Sequence, residues 1–326
     1  MISLKIFLFS RILFIGFLFL IKGADIFVEG ASSIAKKFNV PSMLIGLTIV
    51  AMGTSAPEAA VSITSSLAGS NDMSVANVVG SNFFNILVVL GVSALIAKLP
   101  VEKDTIKKDT PFLIFISLLL VVLGLDGNLG RIDGLILLVA FTWFLINMIK
   151  SAMNNNTTDI NSHNGESAIA LELEASTPIS MPKTISLCIV GIIGIVVGGD
   201  LVVNSATTIA KALGMSDNLV GLTIVACGTS LPEFVTSIVA VKKGETEIAI
   251  GNVIGSNIFN ILLVLGLASL INPIGLSTIA LIDIVFMIFI TIILYVFMKK
   301  NNSLVKSNGI LFIVLYAIYM IYTICR

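Results

Sequence analysis

The residues GTSAPE at 53–58 and GTSLPE at 228–233 place a carboxylate, two hydroxyls and a proline near the centre of long apolar segments. Proline has no N–H and clashes with the preceding turn, and glycine loosens it further, so both segments are expected to break there, at Gly53–Pro57 and Gly228–Pro232. Such a break frees backbone carbonyls, here around 50–54 and 225–229. At membrane depth those groups are tolerated only where protein, water or a bound ion satisfies them. At helical spacing Thr54, Glu58 and Ser62 share one face, and Thr229, Glu233 and Ser237 repeat the pattern. In the following segments Asn77, Ser81 and Asn85 form a second stripe, copied as Asn252, Ser256 and Asn260.

Every group presented is an oxygen ligand: carboxylate, hydroxyl, amide or carbonyl. No His or Cys joins them, which suits Na⁺ and Ca²⁺ and disfavours zinc and copper. A lone Ser or Asn in a membrane helix is ordinarily glue between helices. The glutamates differ, because an ionised carboxylate at the bilayer centre costs on the order of 3 kcal/mol or more. No Lys or Arg lies at matching depth: Arg11 and Lys22 are on the first segment and lack repeat partners. A cation from solution is then the expected counter-charge. Two ionised glutamates give the site a charge near −2, which one Ca²⁺ or two Na⁺ would neutralise. A third Na⁺ would leave it positive. Mutually exclusive occupancy by Ca²⁺ or several Na⁺ is what an antiporter requires.

The elements that position these residues follow from hydropathy. Of 326 residues 56% are hydrophobic and 12% charged, about half the charge of a soluble domain, with a mean hydropathy of +1.07. A membrane helix needs about 20 mostly apolar residues. That length gives ten spans, near 6–34, 43–66, 74–97, 112–126, 132–149, 184–209, 218–240, 246–270, 277–298 and 309–325. The expected fold is therefore an all-α polytopic membrane protein. The first span runs well past a signal-peptide core and has no small-residue cleavage site, so it is read as a membrane helix. Zero net charge implies no nucleic-acid partner. Cys188, Cys227 and Cys325 form no disulfide pattern.

A shift of 175 residues superimposes the halves without a gap. LIGLTIVAMGTSAPE lies over LVGLTIVACGTSLPE, and NVVGSNFFNILVVLG over NVIGSNIFNILLVLG. About half of positions 23–96 match their partners. Five spans separate each element from its copy, and an odd number inverts it. This is the inverted-repeat architecture of secondary transporters, with sites near the midplane on interrupted helices. Duplication for stability alone does not explain why polar positions are kept. The expected organisation is a first five-helix repeat over 1–150 (motif 53–85), a polar cytoplasmic linker over 151–183, and a second repeat over 184–326 (motif 228–260). His163, the chain's one histidine, lies in the linker, as a solvated residue. With the N-terminus outside, the inner loops and linker hold thirteen Lys, among them Lys36, Lys37, Lys107, Lys108, Lys299 and Lys300, against Lys5, Arg131, Lys211 and Arg326 outside. Both termini are therefore expected outside.

At these motifs the chain resembles the sodium/calcium exchanger family of the cation/calcium antiporter superfamily, whose alpha-repeats carry GTSxPE and GSNxxN/D. The likeness covers nearly the whole chain. It implies that Glu58 and Glu233 bind Ca²⁺ and Na⁺, with roles for Thr54, Ser55, Thr229, Ser230, Ser81, Ser256, Asn85 and Asn260 and for the carbonyls of Ala51 and Ala226. It further implies Na⁺ moving inward for Ca²⁺ outward by alternating access, with the first and sixth helices sliding against the other eight. No enzyme activity, prosthetic group or protein partner is implied; the partners are the two ions and the bilayer, and a monomer suffices. The compact chain suits a prokaryotic plasma membrane. Two departures stand out. Many relatives carry Asp in one repeat where this chain has Asn260, and in the potassium-dependent branch that Asp accompanies K⁺ transport, so K⁺ dependence is not expected. The linker, at roughly 30 residues, is too short for the regulatory Ca²⁺-binding domains of animal exchangers.

Three other functions compete. Ca²⁺/H⁺ exchange uses the same fold, but those relatives usually carry a different motif at GTSxPE. Buried acids in inverted halves favour alternating access over an open channel. An intramembrane hydrolase using Ser55 or Ser230 would lack a His or Lys base. Asp25 and Asp200 recur on the first and sixth spans, where attraction of ions, a gate tether and a structural hydrogen bond near a helix end are all consistent with sequence.

Overall fold

The computed structural model describes residues 2–69, 71–162, 180–215 and 226–325. These form helices joined by short turns: α1 (Ile2–Lys37), α2 (Ser42–Thr54), α3 (Ala56–Leu67), α4 (71–96), α5 (105–123), α6 (Arg131–Ser162), α7 (Met181–Ala212), α8 (Ala226–Gly228), α9 (Leu231–Lys242), α10 (Thr246–Ile271), α11 (Thr278–Asn301) and α12 (Lys306–Cys325). Among the described residues seven helices are long and apolar enough to span a membrane, and the bent α2–α3 pair makes an eighth span. The expected fourth span is α5, which starts at a π-helical turn, Thr105–Asp109, and ends at Leu123. Hydropathy placed it late because Lys107, Lys108 and Asp109 open that helix. Residues 216–225, which include the start of the seventh span, and His163 lie outside the described residues.

Two further expectations change. The helix preceding the linker does not stop at 150 but continues to Ser162, and the next starts at Met181, so helix occupies much of what composition marked as linker. Asn, Ser and Thr are weak rather than prohibitive helix residues, and a helix already propagating extends through them at low cost. Short β ladders also form, which hydropathy could not show. β1 (Leu99–Pro100) pairs antiparallel with β4 (Ser303–Leu304), and β2 (Asn128–Leu129) with β3 (Ile274–Gly275). The two ladders are copies: 99 and 304 become 274 and 129 on shifting by 175 in opposite directions. Each joins a loop of one repeat to a loop of the other, satisfying backbone groups where the helices end.

α4 and α10 form the centre and are the most enclosed of the candidate spans. Large apolar side chains such as Phe14, Phe19, Val139, Trp143, Ile193 and Phe289 cover the outer faces, as lipid contact requires. α1 lies along α7, with Gly23 and Gly198 at symmetry-related positions of the seam. A Cβ on Gly23 would sit 2.6 Å from the Ile195 nitrogen, and one on Gly198 2.5 Å from that of Leu20. The residues carrying polar chemistry are held by a second glycine contact, where α2 crosses α10. Gly46 and Gly251 meet backbone to backbone, and a Cβ on Gly251 would lie 2.5 Å from the Met43 carbonyl oxygen. In a membrane, close approach through small residues replaces hydrophobic collapse as the packing force.

Gly251→Val is therefore expected to separate α2 from α10, at a cost of about 1–3 kcal/mol. Thermal unfolding in detergent should show a drop in Tm of several degrees. Gly275→Ala, where an added Cβ meets nothing within 4 Å, should leave Tm within a degree of wild type.

Candidate cation site

The helix break falls at Ser55, one residue beyond the stretch where proline and glycine suggested freed carbonyls. Ser55 adopts φ −82°, ψ 7° between α2 and α3, and Ser230 adopts φ −90°, ψ 6° ahead of α9. The α2–α3 pair bends there by 47°. Ala51, expected to offer a free carbonyl, receives the Ser55 N–H at 3.0 Å and lies 3.4 Å from Thr54 Oγ1. Its oxygen keeps a second lone pair, so a ligand role there would be shared with the helix. Ala226 opens α8, and the residues before it lie outside the described set.

The break puts Glu58 in the first turn of α3 and Glu233 in the first turn of α9. Helix N-termini carry a partial positive charge that favours a carboxylate there. Both glutamates are wholly buried, and no ion pair reaches either among the described residues.

Hydrogen bonds cross between the repeats in matched pairs. Ser55 Oγ donates to Glu233 Oε1 at 2.7 Å, and Ser230 Oγ donates to Glu58 Oε1 at 3.0 Å. Within each repeat Ser81 Oγ lies 3.5 Å from Glu58 Oε1 and Ser256 Oγ 3.4 Å from Glu233 Oε1. Thr54 Oγ1 donates to Asn252 Oδ1 at 3.0 Å, and Thr229 Oγ1 to Asn77 Oδ1 at 3.3 Å. Each glutamate is thus gripped through one oxygen by a serine of the opposite repeat.

Among the described residues four buried carboxylate and amide oxygens have no hydrogen-bond partner, Glu58 Oε2, Glu233 Oε2, Asn85 Oδ1 and Asn260 Oδ1, beside five hydroxyls elsewhere in the bundle. They are two symmetry-related pairs. A buried acceptor left unsatisfied costs about 1–3 kcal/mol, more when charged. Oxygens of this kind, two of them on acids, are ligands that suit a hard cation such as Ca²⁺ or Na⁺.

Direct bonds join Ser55, Glu233 and Ser256 in one set and Ser230, Glu58 and Ser81 in its copy. Thr54 and Thr229 reach the backbone of Glu233 and Glu58 through Asn252 and Asn77, and Asn85 and Asn260 bond to Asn257 and Asn82. Ser62 and Ser237, on the same helical stripes as the glutamates, serve otherwise. Their hydroxyls accept from Asn77 Nδ2 at 3.1 Å and Asn252 Nδ2 at 3.0 Å, fixing those amides. Sequence reasoning passed over Asn82 and Asn257, both buried in the core of the bundle. They fall one residue off the 77–81–85 face, yet the repeat signalled them, since GSN recurs intact. Asp25 Oδ1 pairs with Lys243 Nζ at 2.8 Å, tying α1 to the end of α9, whereas Asp200 accepts from its own helix neighbour Asn204 at 2.9 Å. The first is a tether between elements and the second a local bond.

The chain is similar to known proteins over nearly its whole length. A family model described as sodium/calcium exchanger protein matches residues 10–150 and 183–325. The chain is 34% identical over 338 residues to sodium/calcium exchanger MaX1 of Methanosarcina acetivorans, covering 95% of this chain and 97% of that one. It is 37% identical over 265 residues to inner membrane protein YrbG of Escherichia coli, covering 81% and 80%. A solved structure of the sodium-calcium exchanger NCX_Mj, soaked with Na⁺ and Sr²⁺, superimposes with a TM-score of 0.81 at 34% identity, covering 96% of this chain and 97% of that one.

Double-mutant cycles test the crossed grip. The Ser55→Ala and Glu233→Gln pair should show a coupling of about 1–2 kcal/mol in unfolding free energy. The Ser55→Ala and Glu58→Gln pair, close in sequence but not bonded, should show less than half of that.

Proposed function

The chain belongs to the sodium/calcium exchanger family, and we propose that it exchanges Na⁺ for Ca²⁺ across the membrane by alternating access, moving Ca²⁺ outward. It is an integral multi-pass membrane protein of a transporter family, and its family places it in Ca²⁺/cation exchange. The observation that carries the finer reading is the set of four buried, unsatisfied oxygens on Glu58, Glu233, Asn85 and Asn260.

On this reading Glu58 and Glu233 supply charge and bind either ion, while Asn85 and Asn260 add neutral oxygens. Thr54, Ser55, Ser81, Thr229, Ser230 and Ser256 complete the shell through hydroxyls, with the carbonyls of Ala51 and Ala226. Two acids give the site a charge near −2. One Ca²⁺ or two Na⁺ balance it, so the ions exclude each other and a loaded site can cross an occluded state. Bare acids oppose that crossing, since transfer of unpaired charge into low dielectric is costly. That asymmetry couples one ion's passage to the other's. An amide at 260 in place of an acid supports transport without K⁺. The charge bias of the loops supports outer termini and a cytoplasmic linker in a prokaryotic plasma membrane.

The test is ⁴⁵Ca²⁺ uptake into proteoliposomes loaded with Na⁺, K⁺ or choline at matched pH. Uptake is expected from Na⁺-loaded vesicles alone, and Glu58→Gln or Glu233→Gln should reduce it to the level of protein-free vesicles. Equal uptake under all three loadings, driven by an imposed pH gradient, would assign the protein to proton-coupled exchange. Full uptake by both variants would overturn the site.

A further inference from the structure

The third residue of each GSN triplet, Asn82 and Asn257, is fully enclosed at the contact between α4 and α10. Asn85 Nδ2 donates to Asn257 Oδ1 at 3.1 Å, and Asn260 Nδ2 donates to Asn82 Oδ1 at 3.2 Å. Asn82 Nδ2 in turn lies 3.5 Å from the Asn257 carbonyl oxygen and 3.4 Å from Met287 Sδ. Asn257 Nδ2 lies 3.5 Å from the Asn82 carbonyl oxygen. Four amides, two from each repeat, therefore form one bracket across the pseudo-twofold axis.

The orientation of each amide follows from what faces it. A backbone carbonyl and a thioether are acceptors only, so Asn82 turns its NH₂ toward them. Its Oδ1 is then left to face Asn260, which answers with its own NH₂. The Asn260 Oδ1 consequently points away from the bracket, and it is one of the buried oxygens with no hydrogen-bond partner. The same sequence of constraints runs from Asn257 to Asn85, without a thioether. An amide can serve a cation only through its oxygen, because the flipped rotamer presents two N–H dipoles and repels it. A carboxylate has no such choice to make.

We propose that Asn82 and Asn257 are positioning residues that fix which atom of Asn260 and Asn85 faces the transported cation, and so set the site's affinity for Ca²⁺. This rests on the reading of Asn85 and Asn260 as cation ligands. The bracket lets this chain place a neutral oxygen where an acid would otherwise be used, keeping the site near −2.

The decisive measurement is the Ca²⁺ concentration giving half-maximal Na⁺-driven uptake, in Asn82→Ala, Asn260→Asp, the double variant and Asn260→Ala. In the wild-type background Asn82→Ala is expected to raise that concentration about tenfold (~1.4 kcal/mol), because Asn260 is free to flip. In the Asn260→Asp background the same change should matter less than about twofold, since both atoms at 260 are then oxygens. Equal effects in the two backgrounds, or none in the first, would overturn the proposal and leave Asn82 a packing residue. An Asn260→Ala variant with unchanged Ca²⁺ dependence would instead remove the ligand reading beneath it. Should Asn82→Ala fail to yield folded protein, Asn257→Ala with Asn85→Asp decides the matter by the same rule through the symmetric arm.

Discussion

Two carboxylates sit at the centre of an apolar bundle without an ion-pair partner among the described residues. Lipid-depth burial makes that costly, and the arrangement around Glu58 and Glu233 is best understood as the terms on which it is tolerated. The chain breaks at Ser55 and Ser230 so that each glutamate enters at a helix N-terminus. It is held there by one oxygen only. Full satisfaction of both oxygens by protein donors would stabilise the bundle and remove the reason for a cation to bind. On the proposed reading, leaving Oε2 of each residue without a donor keeps binding energy available for an ion.

The grip is reciprocal, and this gives the inverted repeat a physical role beyond duplication. Each half lacks a complete site: Ser55 serves the glutamate of the second repeat and Ser230 that of the first. Thr54 and Thr229 exchange bonds in the same way with Asn252 and Asn77. The β ladders repeat the theme where the helices end, since each joins one loop from either half. A change in one repeat is therefore felt by the buried polar groups of the other.

Much of this was legible in the residues. Intramembrane Pro and Gly in a repeated hexapeptide pointed to the break, and the 175-residue shift pointed to the paired halves. Hydropathy failed where its assumption failed. α5 begins with Lys and Asp, and polar residues beyond 150 continue a helix that composition took for linker. Stripe reasoning assumes that residues on one helical face share one target. Ser62 and Glu58 share a face but not a role, because the hydroxyl one turn on meets Asn77 rather than the site. Asn82 and Asn257 escaped for the complementary reason: they lie off the stripe and act through other side chains. Crossed bonds depend on how two helices meet, which one-dimensional periodicity does not contain.

The departures from symmetry matter for energetics. Two identical halves would give an inverted-repeat exchanger end states of equal free energy, so any preference must come from positions where the halves differ. Around the midplane they hardly do, since Glu, Ser, Thr and Asn are kept in both. At the end of α1 they do. Lys243 ties Asp25, and Glu245 accepts a short hydrogen bond from Ser32 with Lys36 nearby at 4.0 Å. Positions 68 and 70, the counterparts of Lys243 and Glu245, are Ala68 and Ser70, so α7 cannot be tied at its matching end by the same charges. The Asp25–Lys243 pair is partly exposed and so worth about 0–1 kcal/mol. That is enough to shift a balanced two-state equilibrium up to about fivefold without touching the ligands. The two ends of the bundle are therefore tied unequally, while the polar residues of the midplane are kept in both halves.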